Sequence, residues 1–266
     1  MEQEEFARVG ASFARFHGEF GPLFGRKDTQ RRSEQYLRGL LVQQTDRRNA
    51  ENVAEMIEGA TPRALQRLLT EAPWPTAPVL AHLQTYLGPR VNTAAGVFVL
   101  DESGFPKRGQ RSVGVSHQYC GVLGKVANCQ MGVFLAYASA RGHALVDTRL
   151  FLPQRWTKDR ARCEAAGVPA EVTFQSKAAL GLAMLRQARI LGQLQGCRVT
   201  ADDGYGEVPS FRDALDAEGW EYVLEVPSPT HVFTTLPAVV VPEHTGRGRR
   251  YTVPRPAPGA TPCAGR

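Results

Sequence analysis

The sequence lacks the marks of a secreted or membrane protein. It contains no apolar run long enough to span a bilayer, and its acidic start, residues 1–5, has neither the basic nor the apolar segment of a signal peptide. Its five cysteines are odd in number and never form C-x-x-C, which argues against a disulfide framework and against a zinc site. We therefore expect a cytoplasmic protein with reduced thiols and no membrane partner.

The sequence also lacks a strong excess of either charge. Its formal net charge is +6, from 32 basic and 26 acidic residues. The excess lies in two ranges: residues 91–150 carry 6 basic residues against 3 acidic ones, and residues 243–266 carry 5 against 1. A basic balance suits a nucleic-acid partner, but a solvated tail explains the second range equally well, so charge alone does not decide the function.

Hydrophobic periodicity divides the chain into three regions. Residues 1–90 have apolar positions at helical spacing, which predicts a helical N-terminal region with one helix starting at Thr61-Pro62. Residues 91–235 change to β-rich runs with glycine-containing turns and then alternate helix and strand, which predicts an α/β domain. Residues 236–266 are rich in proline, glycine and arginine, and we expect this tail to be disordered.

The helical region is a candidate for DNA binding. Arginines could contact DNA phosphates there, but eleven interleaved acids make an ordinary salt-bridged helix surface an equally good interpretation. The arginines in question are Arg31, Arg32, Arg38, Arg47, Arg48, Arg63 and Arg67.

Two short β-prone runs are each followed by an acid. Residues 97–100 precede Asp101 and a Ser-Gly-Phe-Pro stretch that predicts a turn, and residues 197–201 precede Asp202. A buried carboxylate is costly without a partner. If the two strands are neighbours, the carboxylates can converge on one Mg²⁺, which proteins hold through one or two carboxylates plus phosphate oxygens and water. The alternative is that the two acids cap unrelated loops.

The chain resembles the catalytic domain of insertion-sequence transposases of the IS701 type. The resemblance covers about residues 35–235 and implies membership of the DDE superfamily, with a ribonuclease H-like fold: an α/β mixed sheet with helices. Three segments carry it: LDESGFPKRG, SVGVSHQYCGVLGKVANCQMGVFLAYASARGHALVDTRLFLP and VTADDGYG.

This resemblance implies a function and a set of site residues. Asp101 and Asp202 match the first two catalytic acids, which bind Mg²⁺ or Mn²⁺ for DNA strand cleavage and strand transfer. The implied partners are the element's terminal inverted repeats and the target DNA, bound by a homodimer that is nucleoid-associated while on DNA. Lys107 and Arg108 are candidates for contacts to scissile-strand phosphates, against the alternative of an exposed basic turn. The family commonly has a second Asp where this chain has Glu102.

The resemblance also implies a third acid, a Glu on a helix well downstream of the second Asp. No glutamate after Asp202 matches that position, which predicts a transposase truncated at its C-terminus, with an incomplete catalytic domain that the missing acid could leave inactive. Two other classes stay open: a catalytically dead DNA-binding fragment that competes with an intact transposase, and a ribonuclease H-like nuclease that completes its metal site with Glu207 or Glu225. The glutamates considered are Glu207, Glu218, Glu225 and Glu243.

Overall fold

The structure is a computed structural model in which the chain forms two compact units. The first contains residues 1–92 and 188–194, and the second contains residues 93–187 and 195–266. No helix in the part of the chain that the structure describes is both long and apolar enough to cross a bilayer. The described residues are 3–43, 48–233, 235–244, 246, 252–260 and 263–264.

The first unit is built from helices. The helix predicted from Thr61-Pro62 is confirmed, because Thr61 Oγ1 accepts a hydrogen bond from the backbone N–H of Ala64 at 3.3 Å and Pro62 is the first helical residue. The helices are α1 (Gln3–Phe20), α2 (Lys27–Val42), α3 (Ala50–Glu55), α4 (Pro62–Thr70) and α5 (Thr76–Val91).

A small apolar core holds α2, α3 and α4 together. It is formed by Val53 and Leu65, both fully buried, with Tyr36 and Leu40 of α2 packed against them. Gly39 allows this close packing, because a Cβ at that position would lie 2.4 Å from Val53 Cγ1. Core burial rather than intrinsic propensity therefore stabilises the six-residue helix α3, which is too short to form alone.

Several arginines of the first unit are engaged in ion pairs along their own helices. Arg32 lies 3.3 Å from Asp28, Arg38 lies 2.7 Å from Glu34, and Arg67 lies 2.8 Å from Glu71, each pair four residues apart. Such pairs are typical of a solvated helix surface. Arg47, another predicted phosphate contact, lies outside the described residues.

A buried histidine links α1 to α2. His17 Nε2 lies 2.8 Å from Ser33 Oγ, and Ser33 Oγ donates to the carbonyl of Gln30, so the neutral His17 ring donates from Nε2. Burial lowers the pKa of His17; the charge of Glu34 opposes this shift and that of Arg38 adds to it. The folded state therefore favours the neutral ring.

This histidine makes the protein less stable in mild acid. A group whose folded pKa is depressed contributes stability above its unfolded pKa, about 6.5 for histidine, and loses that contribution as the pH falls below it. We expect the urea midpoint to fall between pH 7.5 and pH 5.5 in the wild type, and to fall less in His17→Gln. Equal losses in the two proteins would exclude His17 as the cause.

The second unit is an α/β structure around a mixed sheet, so the predicted fold class is confirmed. The strands are β1 (Val97–Pro106), β2 (Ser116–Cys120), β3 (Lys125–Ser139), β4 (Gly142–Phe151), β5 (Arg198–Ala201) and β6 (Glu221–Leu224). The sheet order is β2-β3-β1-β5-β6, with β4 also paired to β3. Strand β1 is antiparallel to β3 and parallel to β5, which is parallel to β6.

Helices join and cover these strands. Ser176 caps the longest of these helices: its Oγ accepts from the Ala179 N–H at 3.1 Å. Gly181 brings this helix onto the sheet, since a Cβ there would lie 3.1 Å from Leu100 of β1. The helices are α6 (Gln154–Thr157), α7 (Arg160–Ala165), α8 (Lys177–Leu191), α9 (Asp203–Gly206) and α10 (Pro209–Ala217).

Short pairings follow the sheet along the chain. They comprise β7 (His231–Val232) paired with β10 (Cys263–Ala264), and β8 (Val239–Val240) paired with β9 (Arg255–Pro256). Within residues 236–266, positions 245, 247–251, 261–262 and 265–266 lie outside the described residues. Disorder of the tail as a whole therefore stays a prediction.

Candidate active site

Asp101 lies within a strand rather than at the end of one. Strand β1 pairs with β5 only as far as Leu100, but it continues beside β3 to Pro106, where Pro106 is opposite Cys129. The turn predicted for Ser-Gly-Phe-Pro is therefore wrong. The parallel pairing of β1 with β5 ends just before Asp101, whereas its antiparallel pairing with β3 continues. The backbone of Asp101 is therefore paired with β3 on one side and is no longer paired with β5 on the other.

Asp202 stands beside Asp101. It directly follows Ala201, the last residue of β5, and Ala201 is paired with Leu100. Neighbouring strands are about 4.8 Å apart, so the two aspartates come one strand spacing from each other. The structure thus places side by side the two acids for which the sequence left convergence and separate loop caps as alternatives.

The electrostatics of Asp202 show a carboxylate short of positive partners. Burial raises its pKa, the charges of Asp101 and Asp203 raise it further, and the backbone N–H groups of Gly204 and Tyr205 oppose the shift. Its Oδ1 is buried and has no hydrogen-bond partner among the described residues. Because an unpaired buried oxygen beside a second carboxylate is unfavourable, the site suits a divalent cation, for which carboxylate oxygens are the preferred ligands.

Asp101 faces an open cavity of about 530 Å³. Its Oδ1 accepts from the backbone N–H of Glu102 at 2.6 Å, and the residue is exposed. A ligand can therefore reach Asp101 directly. The other lining residues are mainly apolar: Val99, Glu102, Ser103, Phe105, Phe134, Ala136 and Leu145.

Two further residues lie close to the acids. The sequence interpretation did not identify Lys177, and it left Tyr205 between stacking on a DNA base and packing inside the protein. Lys177, the first residue of α8, forms an ion pair with Glu102. Tyr205 is 1% exposed, and its hydroxyl has no hydrogen-bond partner in the described part of the chain. Burial raises the pKa of Tyr205, and the charges of Glu102, Asp202 and Asp101 raise it further. Such deep burial leaves Tyr205 no face on which a DNA base could stack.

Sequence signals for these two residues are weak. Tyr205 belongs to the same short motif as Asp202, so its neighbourhood could have been suspected. Lys177 is separated from Glu102 by 75 residues, and only the packing of α8 on the sheet joins them.

Lys107 and Arg108 lie in the loop that follows β1, and both are exposed. Asn128 fixes this loop: its Nδ2 donates to the carbonyls of Lys107 at 2.8 Å and Gly109 at 2.9 Å. Asp101 precedes Lys107 by six residues of strand, about 20 Å at about 3.3 Å per residue. The two cations therefore do not lie beside Asp101.

Glu225 lies level with the two aspartates: Asp101, Asp202 and Glu225 each follow one of three residues that are paired across β1, β5 and β6, and these three positions form a row of acids. Leu224 is paired with Ala201, and the backbone N–H of Glu225 donates to the Ala201 carbonyl at 3.0 Å. Two strand spacings, about 10 Å, separate Glu225 from Asp101. Glu207 instead directly follows α9, as its C-cap residue. Among the described residues, no group of three His, Cys, Asp or Glu side chains is arranged to hold a metal ion.

Comparison with known proteins identifies a family but no individual relative. A comparison with curated proteins gives no match. The sequence matches the family model of the DDE superfamily endonucleases over residues 19–264, which includes both aspartates, the whole sheet and most of the tail. The chain therefore belongs to the DDE superfamily endonuclease family.

Proposed function

We propose that this protein is an insertion-sequence transposase of the IS701 type that cleaves and joins DNA at the ends of its element. The observation that supports this proposal best is the register of β1 and β5, which sets Asp101 and Asp202 side by side with one buried carboxylate oxygen unpaired. Endonucleases of the superfamily act on DNA and generally use divalent metal ions.

Asp101 and Asp202 would hold Mg²⁺ or Mn²⁺. When bound, the metal supplies activation of a water or a DNA 3′-hydroxyl for in-line attack and stabilises the attacking and leaving oxygens. Asp101 presents its carboxylate to the open cavity, and Asp202 is held by the turn into α9.

Lys177 pairs with Glu102, the residue next to Asp101, so the charge of Glu102 is balanced within the protein. The exposed Lys107 and Arg108 would contact the phosphates of the DNA strand beyond the reacting bond.

A nuclease that completes its site with Glu225 is a second candidate, and one observation favours it. Glu225 shares a row with both aspartates, whereas Glu207 does not. Cleavage lost in Glu225→Gln and kept in Glu207→Gln would support this candidate, because only the first substitution touches the row of acids.

The proposed function is tested with a supercoiled plasmid carrying the genomic DNA from both sides of the gene. We expect nicking or excision with Mg²⁺ or Mn²⁺, none with EDTA, and less with a plasmid that lacks those flanks. Equal cleavage of both plasmids would favour a nuclease over a transposase. Binding of the flanks without any cleavage would instead identify an inactive DNA-binding protein.

A further inference from the structure

We propose that a second cavity of the α/β unit, lined by Arg111 and Arg162, binds a backbone phosphate of DNA away from the aspartates. This inference rests on the proposed function, because it assumes a DNA substrate. The cavity is about 310 Å³, and its lining residues are Gln110, Arg111, Trp156, Arg162, Ala165 and Ala166.

Arg162 is held in one orientation before any ligand arrives. Its guanidinium carbon lies 3.8 Å from the centre of the Trp156 ring, and its Nη2 donates to the Gln110 carbonyl at 2.7 Å. Trp156 is itself fixed, since it is fully buried and its Nε1 donates to the Val115 carbonyl at 2.8 Å. A guanidinium fixed on an aromatic ring loses little further entropy when it binds an anion.

Within the described part of the chain, no carboxylate neutralises these two arginines. Neither Arg111 nor Arg162 forms an ion pair with any of the residues that the structure describes, which distinguishes them from the paired Arg149, Arg186 and Arg198 of the same unit. Asp159, three residues before Arg162, uses its Oδ1 to cap α7 by accepting from the Arg162 backbone N–H at 3.0 Å. Glu164, two residues after Arg162, is exposed and forms no ion pair with it. Two unneutralised guanidiniums on one concave surface select an anion with several acceptor oxygens, and phosphate is the anion that DNA presents.

The position of the cavity fits a phosphate that flanks the reacting one. Gln110 and Arg111 follow the basic residues Lys107 and Arg108 in the loop that Asn128 fixes. This loop begins about 20 Å along β1 from Asp101, which corresponds to about six base pairs of a duplex at about 3.4 Å per pair. The cavity therefore holds the duplex on one side of the cleavage point and takes no part in the chemistry.

The test measures how the binding of a 30-base-pair duplex, taken from the flanks of the gene, depends on salt, in EDTA so that no cleavage occurs. Each lost phosphate contact lowers the steepness of log K against log [salt] by about 0.9. We expect that reduction in Arg111→Gln and in Arg162→Gln.

The matched control is Arg160→Gln. Arg160 is on the same helix as Arg162, but its guanidinium donates to the carbonyls of Ala170 and Val172 instead of lining the cavity. Its salt slope should equal that of the wild type. Arg111 is exposed, so its variant reports on the cavity even if Arg162→Gln unfolds.

The outcomes separate this inference from the function on which it rests. If the wild type binds the duplex and both cavity variants keep its salt slope, the cavity does not hold DNA phosphate and the proposed function stands. If inorganic phosphate binds the wild type and the duplex does not displace it, the cavity takes free phosphate and the inference is also overturned. If the wild type binds no DNA, the proposed function fails and the inference fails with it.

Discussion

Replacing Asp202 by Asn is expected to abolish metal-dependent DNA cleavage and, at the same time, to raise the thermal stability of the metal-free protein. The loss follows because metal ligation stabilises the transition state by several kcal/mol, so about a thousand-fold or more of the rate should disappear, equivalent to about 4 kcal/mol. The gain in stability follows because burial and the neighbouring Asp101 both disfavour the charged form of Asp202, and Asn removes that charge.

Both effects can be measured on the same preparation. Plasmid cleavage with Mn²⁺ gives the first, and thermal unfolding in EDTA gives the second. Asp101→Asn should lose cleavage in the same way while still binding DNA. The control is Asp213→Asn, an exposed acid of α10, which should change neither quantity. Retained cleavage in Asp101→Asn or Asp202→Asn would remove that residue from the mechanism.

Replacing Gly206 by Ala is expected to destabilise the α/β unit by about 3 kcal/mol or more. A Cβ at Gly206 would lie 1.8 Å from the Glu225 carbonyl oxygen, a backbone atom that cannot rotate away. Relief would require α9 to separate from the end of β6, which would disturb the hydrogen bond from Glu225 to Ala201 and, with it, the position of Asp202. Cleavage should therefore fall together with the unfolding temperature.

Gly121→Ala is the matched control for this substitution. A Cβ at Gly121 meets nothing within 4 Å, and the backbone there is not in the left-handed region. Its unfolding temperature should stay within about 2 °C of the wild type, since surface changes are usually within about 0.5 kcal/mol. A Gly206→Ala protein as stable as this control would show that α9 and β6 are not in close contact.

The two aspartates could be selected from the sequence because each directly follows a run of β-prone residues. Their convergence depends on the parallel pairing of Leu100 with Ala201, about a hundred residues apart, which the local patterns allowed but did not require. The helix caps at Thr61 and Ser176 were predictable, since a cap depends on residues three positions apart.

The course of β1 beyond Asp101 could not be predicted from local signals. Gly104 indicates a turn in the sequence, but in the structure it stays in the strand because Cys120 packs against it: a Cβ there would lie 2.7 Å from Cys120 Sγ. The fifteen-residue strand β3 continues to pair with β1 and outweighs the turn preference. Pairings such as Lys177 with Glu102 and Arg162 with Trp156 depend on tertiary packing and leave no periodic signal.

The most direct test of the metal site is calorimetric titration of the purified full chain with Mn²⁺ in the absence of DNA. The account predicts saturable binding by the wild type and by Asp213→Asn, with binding weakened at least about tenfold in both Asp101→Asn and Asp202→Asn. A wild type that binds no divalent ion, or aspartate variants that bind it as tightly as the wild type does, would contradict the assignment of Asp101 and Asp202 as metal ligands.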